Sequence, residues 1–105
     1  MRCEPVDKNH TIGNRRGSVG GPACDAVCDC AAVECKSSLG IDEDVVAQLE
    51  ACLRLLTCGE KRAVLCFERM RMPGRYVREY YRGRLGVEVE FHGRGSQLCR
   101  DAGCF

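Results

Sequence analysis

Behind Asp42, apolar side chains return at Val45, Val46, Leu49, Cys52, Leu53 and Leu56, a three-to-four-residue rhythm that predicts an amphipathic helix ended by Gly59. Upstream, Cys24, Val27, Cys28, Ala31 and Cys35 form a stripe at the same spacing. That stripe predicts a first helix from Pro22, with Cys30 off it and a stop at Ser37-Ser38-Leu39-Gly40. A third helix is expected from about Glu60. Ala63, Cys66, Phe67 and Met70 face inward on it, Lys61, Arg62, Arg69 and Arg71 face outward, and Met72-Pro73-Gly74 breaks it. Tyr76, Val77, Tyr80 and Tyr81 are spaced for one more short helix. After them the period changes to two: Leu85, Val87, Val89 and Phe91 alternate with Gly86, Glu88, Glu90 and His92, as in a strand with one wet face. A lone strand needs a partner, expected near Thr11-Ile12 or across a subunit boundary.

The fold expected from this pattern is mainly α, a small disulfide-stapled bundle of three to four helices with one short C-terminal β segment. Residues 1–21, polar and glycine-rich, read as an N-terminal loop or arm, and residues 22–105 as the disulfide-rich helical domain. The turn Gly93-Arg94-Gly95-Ser96 leads into a tail pinned by Cys99 and Cys104.

Composition changes the picture chiefly through sulfur. Ten Cys in 105 residues approach the density of a disulfide scaffold, and the number is even. Cys3, Cys24, Cys28, Cys30, Cys35, Cys52, Cys58, Cys66, Cys99 and Cys104 are therefore expected to be bridged, which points to an oxidising compartment and to secretion. Asn9-His10-Thr11 matches the N-glycosylation pattern and makes Asn9 a candidate acceptor. No apolar run in residues 1–20 could serve as a signal-peptide core or a membrane span, so a secreted chain of this sequence is expected to be a mature form. Connectivity is open, within one chain or between two, although Cys30 is expected to catch Cys3 or a C-terminal cysteine. Each bridge contributes roughly 2 to 4 kcal/mol, a large share of the about 5 to 15 kcal/mol that stabilises an ordinary domain.

Other roles for the thiols fit less well. Structural zinc is normally gripped by Cys-x-x-Cys, and the chain has none, so no metal and no cofactor are expected. A catalytic thiol needs a base beside it, yet no His neighbours a Cys, and phosphate-loop and hydrolase motifs are missing, so the expected protein is not an enzyme.

The net charge of +1 conceals two blocks. Asp25, Asp29, Glu34, Asp42, Glu43, Asp44 and Glu50 face Lys36 alone between 25 and 50. Lys61, Arg62, Arg69, Arg71, Arg75, Arg78, Arg82 and Arg84 outnumber Glu60, Glu68 and Glu79 between 60 and 84. Within the second block RMRMPGRYVREYYRGR, residues 69–84, combines the two residue types that dominate binding hot spots. Arg69, Arg71, Arg75, Tyr76, Arg78, Tyr80 and Arg82 are accordingly the candidate contact residues.

The run from Cys35 to Cys66, with ACLRLLTCGEKRAVLC at 51–66, and the ending LCRDAGC at 98–104 resemble the cysteine layout of the con-ikot-ikot family of large cone-snail toxins over about half of the chain. The residue-level match is Cys58-Gly59 with its flanking spacing. Adjacent Cys-Cys pairs are missing, and segment 85–92 has no counterpart. The resemblance implies a helical, secreted protein that binds extracellular parts of ion channels and dimerises. Residues and resemblance together predict a non-enzymatic ligand of an extracellular protein target, an ion channel or receptor, with no nucleic acid, no membrane span and a homodimer as an allowed assembly. The alternatives are an intracellular zinc and nucleic-acid-binding protein and a saposin-type lipid binder.

Overall fold

The two segments richest in short apolar side chains, 31–35 and 63–67, form the centre of a sheet. The computed structural model describes residues 2–6, 11–12, 15–16 and 23–105; Asn9 lies outside them. Along the chain run β1 (Cys3–Pro5), β2 (Thr11–Ile12), β3 (Arg15–Arg16), β4 (Ala26–Cys28), β5 (Ala31–Leu39), α1 (Glu43–Leu55), β6 (Arg62–Met70), α2 (Gly74–Leu85), β7 (Glu88–Gly93) and α3 (Gln97–Asp101). Five strands make one sheet in the order β1-β4-β5-β6-β7, while β2 and β3 pair separately. β1, β4 and β5 are antiparallel neighbours; β5, β6 and β7 run parallel.

The expected helical bundle is thus replaced by a mixed α/β fold. Two of the predicted helices, from Pro22 and from Glu60, are strands, for a common reason. Ala31 to Glu34 and Ala63 to Cys66 are all buried, because a central strand covered on both faces loses its alternation and becomes a continuous apolar run. Any such run also contains residues three and four apart, which imitates a helical stripe. Between β4 and β5 the chain turns through Asp29 and Cys30, with Asp29 in the left-handed region at φ 52° that tight hairpin turns require.

The Asp42 helix, the helix at Tyr76 to Tyr81 and the C-terminal strand keep their expected type, whereas Cys3–Pro5 of the expected N-terminal loop joins the sheet as β1 and the tail carries α3. Asp42 caps α1 through its side chain, which accepts from the Asp44 amide, although the helix ends at Leu55 instead of Gly59. α2 closes on Gly86, whose φ of 66° suits the left-handed end of a helix. β7 is a strand, and within the chain its partner is not Thr11-Ile12: it lies parallel to β6, with Val89 opposite Ala63. Thr11 and Ile12 pair with Arg16 and Arg15.

Parallel strands need crossovers, and both crossovers here step the same way along the sheet. Right-handed connections then place α1 and α2 on one face. Under them lies a core of Ala32, Leu39, Val45, Val46, Leu49, Leu53, Leu65, Val77, Tyr81 and Val89. The opposite face carries Ala26, Ala31, Val33 and Val64 beneath α3 and the tail.

All ten cysteines are paired: Cys3–Cys28, Cys24–Cys52, Cys30–Cys58, Cys35–Cys104 and Cys66–Cys99. Cys30 bridges the β4–β5 turn to the loop after α1, where a bond to Cys3 or the C-terminus was expected. Cys24–Cys52 and Cys30–Cys58 sit on the helix-covered side. The remaining three serve the tail-covered side, where hydrocarbon is thin.

Candidate functional site

The arginine-rich stretch is divided between β6, its exit loop and α2. Arg69 is exposed near the end of β6, and Arg71 lies in the loop. Arg71 is occupied structurally: its Nη1 donates to the Ser38 carbonyl at 2.8 Å, and its guanidinium lies where a side chain at Gly40 would be, so a larger residue there would have to displace it.

On α2 the buried positions are Val77 and Tyr81, so the outward face opposite them carries Arg75, Tyr76, Arg78, Glu79 and Arg82. Arg75 stacks 4.8 Å from the Tyr76 ring centroid and donates to the Tyr76 hydroxyl at 2.9 Å. Arg78 folds back beside Gly74. Arg82 reaches the Val89 carbonyl at 3.3 Å and is partly committed to β7. Tyr80 turns toward α1, where its hydroxyl accepts from Arg84. The seven candidate residues therefore split three ways: Arg75, Tyr76 and Arg78 form one open cluster, Arg71, Tyr80 and Arg82 hold the fold, and Arg69 stands exposed on β6.

The amino end of α2 is electrostatically unusual. Pro73 provides no side-chain cap and the first turn holds no acidic residue, whereas Arg75 adds positive charge to the positive end of the helix dipole. The acidic and basic blocks meet, among the described residues, in one ion pair, Arg84 with Glu43, which ties α2 to α1 and holds the Glu43 carboxyl below its ordinary range.

Two polar groupings went unread in the sequence. Glu34, in the middle of β5, is 2% exposed on the face under α1. Burial, and secondly the neighbouring Asp25, push its carboxyl up to about 8. Lys36 Nζ lies 3.6 Å away, the side-chain amide of Gln48 on α1 lies against one carboxyl oxygen, and Oε1 has no partner among the described residues. Its only sequence signal was a carboxylate inside an otherwise apolar run.

The second grouping lies on the tail-covered side of β7. Alternation puts Glu90 and His92 on one face, and the Gly93–Gly95 turn brings Ser96 back to them. His92 contacts Glu90 Oε1 through Nε2 at 3.0 Å and Ser96 Oγ through Nδ1 at 3.1 Å, while Arg62 holds the other Glu90 oxygen at 3.2 Å. The wet-face alternation of 88–92 was legible, but the return of Ser96 depends on the turn.

No helix among the described residues is long and apolar enough to cross a membrane. The chain matches no family model, no curated protein and no solved structure.

Proposed function

We propose that this chain is a secreted, disulfide-fixed ligand that binds an acidic surface of an extracellular protein through the outward face of α2. Five disulfides suit an oxidising compartment and leave no free thiol for the zinc and nucleic-acid alternative. The sheet takes the place of the helical bundle that a saposin-type lipid binder would use.

The observation that carries the reading is the open cluster at the start of α2. Arg75 and Arg78 have no carboxylate partner among the described residues, and Tyr76 is 45% exposed. Cations beside a helix amino terminus cost the fold stability, so their placement there favours a partner that brings the missing negative charge. The stacked Arg75–Tyr76 pair is preordered, which lowers the entropy lost on docking. An ion channel or receptor ectodomain is the partner class that the cone-snail toxin likeness adds.

Labelled oxidised protein added to intact cells that carry the receptor is expected to bind them. Arg75→Glu/Arg78→Glu should reduce that binding at least about tenfold with the circular dichroism unchanged, as loss of two hot-spot arginines implies. Binding that survives the double reversal, or survives protease removal of cell-surface proteins, overturns the proposal.

A further inference from the structure

Among the described residues a serine, Ser96, has a histidine base beside it. We propose that Ser96 is a nucleophile, activated by His92 and positioned through Glu90, that hydrolyses small esters with an anionic acyl group on the tail-covered side of the sheet.

The hydrogen-bond polarity of the relay follows from chemistry. A carboxylate only accepts, so the ring nitrogen facing Glu90, Nε2 at 3.0 Å, is the one that carries the proton. Nδ1 then keeps its lone pair, and the Ser96 hydroxyl 3.1 Å away donates to it. A nucleophile hydrogen-bonded to a base, whose other nitrogen is held by an acid, is the arrangement that turns a hydroxyl into an attacking group. Arg62 at 3.2 Å fixes the far Glu90 oxygen and keeps the carboxylate in place.

Ser96 also stands at the position that normally caps α3, yet its hydroxyl makes no capping bond and is given to His92 instead. Beside it lies a depression of about 370 Å³, lined by Arg94, Ser96, Cys99, Arg100, Cys104 and Phe105. That volume accommodates a small acyl group. Arg94 is paired to Glu68, but Arg100 has no ion-pair partner among the described residues, so the depression selects a negatively charged acyl chain. His92 and Glu90 are about 30% exposed, which admits water for the second half of the reaction. Cys66–Cys99 and Cys35–Cys104 hold this platform to the sheet.

In the first half, Ser96 Oγ attacks the ester carbonyl carbon and its proton passes to His92 Nδ1. The carbon–oxygen bond to the alcohol breaks, and the departing oxygen takes that proton, leaving acyl-Ser96. In the second half, water attacks the acyl carbon and gives a proton to Nδ1, which returns it to Ser96 Oγ as the acid leaves. The net change is ester plus water to acid plus alcohol.

The oxidised full chain, treated with a fluorophosphonate probe, is expected to gain one adduct, mapped to Ser96, and to hydrolyse p-nitrophenyl hemisuccinate. Ser96→Ala and His92→Gln should each remove the adduct and lower turnover by about 100-fold or more, while Ser37→Ala and Ser38→Ala change neither. Glu90→Gln, acting through His92, should lower kcat with KM unchanged. Mass spectrometry of the five intact disulfides and circular dichroism establish that each variant is folded. No adduct on Ser96 of the folded wild-type chain, or hydrolysis that persists in Ser96→Ala, overturns the proposal.

Discussion

The two faces of the sheet are closed by different means. Under α1 and α2, branched and aromatic side chains from the two helices, Val77 and Tyr81 among them, meet Leu65 and Val89 of the sheet, and burial of hydrocarbon supplies most of the stability. Across the sheet, the cover is a helix of five residues and a short tail whose one large aliphatic contribution is Leu98. A helix so short does not hold itself together, and the apolar area it buries is small. Three of the five disulfides belong to that face. Sulfur appears where the sequence supplies too little hydrocarbon to seal a layer.

The largest expected effect follows from that contrast. Replacing Cys35, Cys66, Cys99 and Cys104 by serine should cost roughly 2 to 5 kcal/mol for each bridge removed. The loss should be local first: amides of 97–104 should exchange as in an open chain while those of α1 and α2 stay protected. Leu49→Ala, in the fully buried centre of the other face, should cost about 2 to 5 kcal/mol through its cavity and lower protection throughout the sheet. Protected tail amides in the serine variant would break the comparison, because α3 would then hold without its staples.

This division of labour also explains what the sequence disclosed. Asp42 and the Val45-to-Leu53 stripe describe a surface helix, whose single buried face leaves a period; α2 and β7 likewise have one wet side each. β5 and β6 have none along their central residues, so Ala31 to Glu34 and Ala63 to Cys66 gave no alternation to read. Even cysteine count and density were legible, but Cys30 finding Cys58 depends on a turn at Asp29 that only tertiary pairing selects. Of the arginine cluster, Arg75, Tyr76 and Arg78 were legible as surface. That Arg71 would support Gly40 was not, since it joins elements thirty residues apart in sequence.

Glu34 is the exception on the hydrocarbon face, and it predicts a pH dependence of the next size. Its folded-state pKa, about 8, lies above the ordinary 4.5, so the carboxyl is neutral in the folded protein over a range where the unfolded chain is ionised. The folded state then binds more protons, and stability falls as pH rises from about 4.5 to 8 before levelling off. The slope integrates to a few kcal/mol, on the order of 1.36 kcal/mol per unit. Glu34→Gln keeps the shape without the charge and should flatten this dependence, which urea denaturation at a series of pH values measures. A dependence unchanged in the variant would remove Glu34 as its source.

The smallest effect belongs to the start of α1, and its size discriminates between propensity and burial as the source of that face's stability. The Asp42 side chain accepts from the Asp44 amide at 2.9 Å and satisfies one of the unpaired donors at the helix end. Its backbone amide separately donates to the Tyr81 hydroxyl, which in turn donates to the Gly40 carbonyl at 2.6 Å; substitution at the Asp42 side chain leaves that link intact. Asp42→Ala should therefore cost about 1 kcal/mol, and Asp42→Asn, which retains the acceptor, much less. The change should appear in the denaturant midpoint with an unaltered slope, since the same surface is exposed on unfolding. A cost as large as that of Leu49→Ala would mean that the cap, and not the buried stripe behind it, decides whether α1 forms.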